Sequence, residues 1–225
     1  MKPAMRFPIA CSLLLFANLS LAKDELPATT PEGLVRVEGS KLAAVYAQPD
    51  ATLSAYTRVK VLEPHVAFRK NWKRDNQNRG PGLRPTDRDM ERIKKEMAEE
   101  FMKVFTKELT EGGYPVVDEI GPDVLIVRPA IVDLNPLAPD LQTAQRVTTY
   151  AESAGEMSLY VEIYDSETSA LIAKGIDWQQ DRGTGYATWA NRVSNRAAAD
   201  RILKEWAGVL VAALDRAQKI GADED

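Results

Sequence analysis

The sequence predicts an α+β domain, a mostly antiparallel sheet of about five strands with two long amphipathic helices packed on one face. Three observations support this class. Several segments alternate apolar and polar residues with period two, two long segments repeat apolar residues at three- and four-residue steps, and the helices are too few for a doubly wound parallel sheet. The predicted order is therefore strand, helix, two strands, hairpin, helix.

The first predicted strand spans residues 57–63, where Val59 and Val61 alternate with basic residues in the pattern of a half-buried strand. Residues 69–84 follow it. They are polar, contain turn residues throughout and lack periodicity, so they are predicted to form a loop.

The first helix is predicted over residues 87–111. Thr86 and Asp89 have the spacing of a capping box, and Gly112 and Gly113 mark the end of the helix. One apolar stripe runs along it. The stripe consists of Met90, Ile93, Met97, Phe101, Val104, Phe105 and Leu109.

Two strands are predicted after this helix, at residues 114–118 and 123–133. The second is apolar on both faces, which predicts that it is covered on both sides for part of its length. Pro129 cannot donate a ladder hydrogen bond, so a bulge or a sheet edge is expected there. Arg128 in so apolar a strand must extend to solvent, meet a carboxylate such as Glu162, or face a partner.

A hairpin is predicted next, with strands at residues 155–164 and 170–178 joined by an Asp/Ser/Thr turn at 165–169. The last element is a helix over about residues 191–219, locally weakened by Gly208.

Residues 1–22 have the features of a cleavable secretory signal, namely a basic start, an apolar centre and a small-x-small end at Ala22. We expect export to the periplasm, a loosely structured segment over 23–55 that lays short extended pieces on the domain, and one α+β domain over 56–220. Cys11, the only cysteine, lies at the start of the apolar centre rather than at its end, so lipid anchoring is not expected.

Composition excludes several classes of function. Signal cleavage would remove two basic residues, Lys2 and Arg6, and leave 27 basic against 33 acidic side chains, a balance that does not suit nucleic acid. Without the signal, His65 is the only histidine and no cysteine remains, so neither a metal site nor a cofactor is predicted. The serines lack the G-x-S-x-G context of a nucleophile. No later segment is apolar enough to span a membrane.

Two sets of candidate site residues remain, and both also have structural interpretations. The first is a group of carboxylates that would serve acid–base chemistry if two converged: Asp118, Glu119, Asp123, Asp133 and Asp177. The second is a binding surface on loops 69–88 and 179–189, where arginines and lysines lie near tryptophans and Trp178 and Trp189 flank an Arg-Gly-Thr-Gly turn. Its predicted residues are Trp72, Lys73, Arg74, Arg79, Arg84, Arg182 and Trp189.

Several stretches together resemble one family. They are Val66–Asp75, Gly112–Tyr114, Gly121–Asp133, Glu162–Thr168 and Trp189 ahead of the last helix. The chain resembles the DUF3313 family, bacterial proteins of unknown function that are mostly envelope lipoproteins, over about residues 30–218. The Gly-Pro-Asp-Val-Leu run is the most specific part. The resemblance implies an envelope location and a fold, but it transfers no catalytic residues.

The sequence thus predicts a non-enzymatic periplasmic or envelope protein that binds another envelope component, expected to be a protein. A module for anionic glycans or lipid head groups, using loops 69–88 and 179–189, is the first alternative. A hydrolase built on the Asp118–Asp133 carboxylates is the second.

Overall fold

The computed structural model describes residues 26–78, 84–136, 149–151, 155–180, 188–190 and 192–224. The strands are β1 Val35–Arg36, β2 Ala44–Ala47, β3 Arg58–Val61, β4 His65–Phe68, β5 Val124–Pro136, β6 Thr149–Ala151, β7 Gly155–Asp165, β8 Leu171–Gln180 and β9 Thr188–Ala190. The helices are α1 Trp72–Asp75, α2 Asp87–Glu111 and α3 Arg192–Glu224.

Seven strands form one sheet in the order β1-β2-β8-β7-β5-β3, with β4 also beside β5. All neighbours are antiparallel except β3 and β4, which run parallel to β5 one after the other along the same edge. Strands β6 and β9 form a separate antiparallel pair. The predicted α+β class is confirmed, whereas the sheet has seven strands instead of about five.

The additional strands β1, β2 and β4 are only two to four residues long, too short to show a period-two pattern. Two of them lie before Tyr56, so the sheet takes in the segment expected to be loose. That segment lays extended pieces on the domain, as predicted, and β2 pairs with β8 inside the sheet. Residues 114–118 form no strand, although Val116 makes a single parallel bridge with Val59 of β3.

The long helices α2 and α3 share one apolar core with one face of the sheet, called the inner face below. Every second residue of β5 and β7 points into this core, as expected for strands. The central core residues are Val59, Leu125, Val127, Ile131, Leu159 and Ile163 from the sheet, Phe101, Val104, Phe105 and Leu109 from α2, and Leu203, Trp206 and Leu214 from α3.

Both ends of α2 lie where the sequence predicts them. At the start, the Asp89 backbone N–H donates to Thr86 Oγ1 and the Thr86 N–H donates to the Asp89 carboxylate, which completes the capping box. At the end, Gly113 adopts φ 89°, and the N–H groups of Tyr114 and Gly113 donate to the carbonyls of Leu109 and Thr110. This is a Schellman motif, for which glycine suits the left-handed position.

Two expectations need correction. The region 69–84 contains the short helix α1, whose first residue Trp72 stacks on Phe68 at 4.5 Å between ring centroids. Strand β5 has no bulge at Pro129. Its irregularity lies between Val132 and Asn135, where Asp133 has φ 54°.

Pro129 is tolerated because the edge partner of β5 is interrupted beside it. Strand β3 pairs with β5 up to Val127 and β4 resumes the pairing at Ala130. The missing proline N–H therefore falls at the break between these two short strands, so the predicted alternative of a sheet edge applies locally.

The predicted hairpin and last helix are also present. Strands β7 and β8 pair antiparallel around a turn in which Asp165 Oδ1 accepts from the N–H groups of Glu167 and Thr168. Helix α3 continues to Glu224, past the predicted end at 219. Of the helices within the described ranges, none combines the length and apolar character needed to cross a bilayer.

Helices α2 and α3 approach closely at the end of α2. A Cβ added to Gly112 would lie 2.7 Å from Val211 Cγ1 of α3. Nearby, the Tyr114 hydroxyl donates to Asp215 Oδ1 at 2.9 Å. Glu100, buried on α2, pairs with Arg196 of α3 and with Lys103. Burial alone would raise the pKa of Glu100, but hydrogen bonds from these two cations outweigh it and hold the pKa below its ordinary value.

Gly112, the residue that follows α2, and Gly208 of α3 provide a matched test of this close approach. We expect Gly112→Ala to destabilise the fold by about 1–3 kcal/mol, because the added methyl group overlaps Val211. Gly208→Ala, on the exposed side of α3 with nothing within 4 Å of the new Cβ, should stabilise it by about 0.5–1 kcal/mol through helix propensity. Urea unfolding of both variants measures the two shifts, and shifts of equal sign would contradict the described helix contact.

Candidate functional site

The sheet has a second face, called the outer face below, which is not part of the helix-covered core. The buried apolar cluster on this face is formed without a helix, by Leu34, Ala44 and Tyr46 with Leu26, Leu171 and Ile176 packed around them. The N-terminal segment therefore covers the outer face near β2 and β8. Apart from the buried Lys174, the remaining outer face on β5, β7 and β8 carries partly or well exposed side chains.

Strand register arranges the outer face in rows that cross β5, β7 and β8. From the β7–β8 turn outward, the rows are Ile126–Tyr164–Leu171, Arg128–Glu162–Lys174, Ala130–Tyr160–Ile176, Val132–Ser158–Trp178 and Asn135–Glu156–Gln180. His65 of β4 is exposed and extends the third row beside Ala130. Charged, aromatic and amide side chains thus alternate with small apolar ones across an open surface.

The second row is a charged network centred on Glu162. Arg128 Nη1 lies 3.3 Å from Glu162 Oε2, and Lys174 Nζ lies 3.5 Å from Glu162 Oε1. Lys174 also lies 2.7 Å from Glu32 Oε1 of the N-terminal segment. Of the possibilities for Arg128, the carboxylate partner Glu162 is confirmed, and the arginine side chain is also 62% exposed.

Two tyrosines complete this network. Tyr164 donates its hydroxyl to Glu162 Oε2 at 2.7 Å and Tyr160 donates to Oε1 at 3.4 Å. Burial raises the pKa of both phenols. Burial alone would lower the pKa of Lys174, but its hydrogen bonds to Glu32 and Tyr160 outweigh this and raise it. Glu162 is therefore saturated with donors, a poor arrangement for a general base.

The fourth row ends at Trp178, which is 43% exposed. Its row neighbours Ser158 and Val132 are small, so no bulky side chain stands beside the indole in that row. The next row holds polar groups, and Asn135 Nδ2 donates to Glu156 Oε1 at 2.7 Å. Trp178 with this polar row is called the Trp178 platform below.

Asp177 points the other way, into the core. It is only 5% exposed, and its carboxylate accepts from Trp206 Nε1 at 2.7 Å, from Gln179 Nε2 at 2.9 Å and from the Ala43 N–H at 3.1 Å. These donors satisfy the buried oxygens. Asp177 is thus a structural link between α3, β8 and the start of β2.

Among the other candidate carboxylates, Asp123 and Asp133 lie far apart, whereas Glu119 acts on the same Arg58 that binds Asp123. Asp123 forms a bidentate pair with Arg58, with both N···O distances 2.7 Å, and this guanidinium holds the pKa of Asp123 well below its usual range. Asp133 lies ten residues further along β5, about 33 Å away at the rise of an extended strand. Asp118 and Glu119 are exposed before β5. For the Asp123–Asp133 pair, this separation exceeds the roughly 5–9 Å between the carboxylates of a glycoside hydrolase.

Gly121-Pro122-Asp123 is a scaffold. The buried Ser166 hydroxyl accepts from the Gly121 N–H at 3.0 Å and donates to its carbonyl at 2.8 Å. The Asp123 carbonyl accepts from the N–H groups of Thr57 and Arg58. The motif thus joins the start of β5 to the β7–β8 turn and to β3.

The predicted basic surface on loop 69–88 requires a correction at Trp72, which is 1% exposed and cannot line a surface. Acidic neighbours accompany the cations of this loop. Lys73 lies 2.6 Å from Asp87, and Asp75 lies 3.6 Å from Arg74. Arg84 also interacts with another group of the protein.

The rest of the predicted binding set is not described in side-chain detail. Arg79 and Arg182 lie outside the described residues, and only the backbone of Trp189 is described, in β9. In the described ranges, no group of three His, Cys, Asp or Glu residues has the geometry of a metal site.

A family model described as protein of unknown function (DUF3313) matches residues 28–210. The chain belongs to the DUF3313 family. The resemblance read from the sequence is thereby confirmed. No curated protein matches this DUF3313 chain.

Solved structures give distant likenesses to the DUF3313 chain. A PelC dodecamer from Paraburkholderia phytofirmans matches at TM-score 0.36 and 10% identity, covering 76% of this chain and 95% of that chain. A DUF330 protein from Xanthomonas campestris matches at 0.41 and 12%, covering 77% and 94%. A DUF4136 protein from Bacteroides thetaiotaomicron matches at 0.36 and 10%, covering 76% and 95%. We draw no functional conclusion from these values.

The charged row predicts a clear stability effect. Lys174→Met should destabilise the protein by about 1–3 kcal/mol, because the substitution leaves Glu162 and Tyr160 without the Lys174 ammonium group. Lys41→Met, at an exposed position, is the control and should change stability by less than about 0.5 kcal/mol. Thermal and urea unfolding measure both. A Lys174→Met protein as stable as the wild type would show that the network contributes nothing.

Proposed function

We propose that this DUF3313 chain is a non-enzymatic, exported protein of the bacterial cell envelope that binds another envelope component through its outer face. The predicted signal over residues 1–22 supports export. Membership of the family supports the envelope location through the resemblance stated above.

The observation that carries the proposal is the division between the two sheet faces. The inner face buries the core with α2 and α3, whereas the outer face exposes Trp178 and Arg128 on rigid strands. Tryptophan, tyrosine and arginine are the residue types that dominate binding energies at interfaces. Placing them on paired strands limits the entropy lost when a partner binds.

A non-enzymatic role is supported by the carboxylates of the protein, because those named below already form hydrogen bonds or ion pairs with structural groups. Asp123 and Asp177 are bound to structural donors, and Glu162 accepts from two phenols and forms ion pairs with Arg128 and Lys174. The first alternative, anion binding by loop 69–88, loses support because Trp72 is buried and Lys73 pairs with Asp87.

Site-specific photocrosslinking tests the proposal. A benzophenone amino acid replaces Trp178 in cells that express the full chain, and the matched control places it at Lys95, a 77% exposed position on α2. We expect an envelope-fraction product from position 178 and none from position 95. The captured component, once identified and purified, should bind the wild-type chain and bind Arg128→Glu at least about tenfold more weakly.

Two results would contradict the proposal. One is equal crosslinking from both positions, which indicates random collision. The other is a captured component that binds Arg128→Glu and Trp178→Ala as tightly as it binds the wild type.

A further inference from the structure

Three aromatic side chains form a line on the outer face. Tyr164 and Tyr160 lie four residues apart on β7, and Trp178 of β8 is level with Ser158, two residues beyond Tyr160. At the rise of an extended strand the line is about 20 Å long. All three residues are on the outer face, opposite the face that α2 and α3 cover, so an extended ligand could contact them together.

The surroundings of Trp178 are amphipathic. Partly exposed apolar side chains, Val132 and Ile176, lie on its row or the next one. On the other side, Asn135, Glu156 and Gln180 form a row of amide and carboxylate groups. Among the described residues, the bond from Asn135 to Glu156 engages one donor and one acceptor of this row, and the amides and the carboxylate carry further ones.

This pattern fits a sugar ring better than a protein side chain. A pyranose has an apolar C–H face that stacks on an aromatic ring and a rim of hydroxyl groups that need donors and acceptors. The Trp178 platform offers an aromatic ring and, in the next row of the sheet, donors and acceptors for the hydroxyl groups. A protein interface instead centres on a wide, fully desolvated apolar patch, and the apolar area around Trp178 is bounded by polar residues.

Charge decides between neutral and anionic sugars. On the β5–β7–β8 rows that hold the aromatic line, the cations are Arg128 and Lys174 and the carboxylates are Glu156 and Glu162, with Glu32 beside Lys174. Both cations are already paired with Glu162 or Glu32, and the carboxylates outnumber them. A polyanion would therefore meet net repulsion here, whereas an uncharged ligand would not.

We infer that the outer face binds an uncharged glycan strand, made of hexose or N-acetylhexosamine units, laid along Tyr164, Tyr160 and Trp178. The inference rests on the proposed function and names the chemical class of the envelope component. The ring nearest the Trp178 platform stacks on the indole and directs its hydroxyl groups to Asn135, Glu156 and Gln180.

Titration of the mature chain with defined oligosaccharides tests this inference. The probes are cellohexaose, maltohexaose and chitohexaose as neutral strands, and hexagalacturonate as the anionic one. The indole N–H signal of Trp178 is assigned by its loss in Trp178→Phe. We expect at least one neutral hexamer to shift this signal, while the signals of the buried Trp72 and Trp206 stay in place.

Calorimetric titration of variants then locates the glycan-binding site. Trp178→Ala should weaken the binding of the neutral hexamer at least about tenfold, while Trp178→Phe keeps most of the affinity because the aromatic face remains. Ile120→Ala is the matched control, since Ile120 is 65% exposed but lies on the loop before β5. It should bind as the wild type does.

Three outcomes would overturn the inference: no shift of the Trp178 signal with any neutral hexamer, unchanged affinity in Trp178→Ala, or tighter binding of hexagalacturonate than of every neutral probe. A protein crosslinked specifically from position 178, without hexamer binding, would reject the glycan and leave the proposed function intact. Failure of the proposed function itself would appear as nonspecific crosslinking.

Discussion

The buried carboxylate of Asp177 is the interaction on which the arrangement of both sheet faces depends. Its oxygens accept from α3 through Trp206, from the chain entering β2 through Ala43, and from Gln179 on its own strand. A buried carboxylate without these partners would be very unfavourable. Because side chains alternate along a strand, an inward Asp177 requires an outward Trp178. A slip of one residue in β8 would bury the indole and leave Trp206 without its acceptor.

The two faces use polar groups in different ways. Inside, each described acid that is buried has a defined structural task, as with Asp177 on the sheet and Glu100 between the helices. Outside, the charged row pairs its charges with one another and also attaches the N-terminal segment through Glu32. The charged row is therefore largely self-sufficient, and the groups with capacity to spare lie at the Trp178 platform. This difference places the stacking contact of the inferred glycan at the platform.

Sequence reasoning succeeded where the signals are local. The capping box and the glycine pair define the ends of α2, and the alternation of β7 with its Asp165 turn defines the hairpin. The partnership of Arg128 and Glu162 could be anticipated because an arginine in an apolar strand needs a nearby carboxylate. Gly121-Pro122-Asp123, the start of the run that is most specific to the family, is held in place by bonds to Ser166 and Arg58.

Sequence reasoning failed where an element or a side chain depends on partners that are distant in the sequence. Strands β1 and β2 are too short to show a period, and β2 is held by pairing with β8, more than a hundred residues later. Trp72 sits in a polar stretch and is buried because Phe68 stacks on it, which no spacing reveals. Asp177 was grouped with possible catalytic acids, since the indole that binds it lies on another element. The exposed Trp178 was noticed only as a neighbour of a glycine turn, not as part of a sheet row.

The strand register of β8 is tested most directly by the solvent exposure of the individual indoles, measured by paramagnetic relaxation of their N–H signals with a soluble, uncharged gadolinium chelate. We expect strong relaxation at Trp178 and weak relaxation at Trp206 and Trp72. We also expect Asp177→Ala to increase the relaxation at Trp206. A protected Trp178, or a Trp206 as accessible as Trp178 in the wild-type chain, would contradict the register on which both the core and the proposed binding face rest.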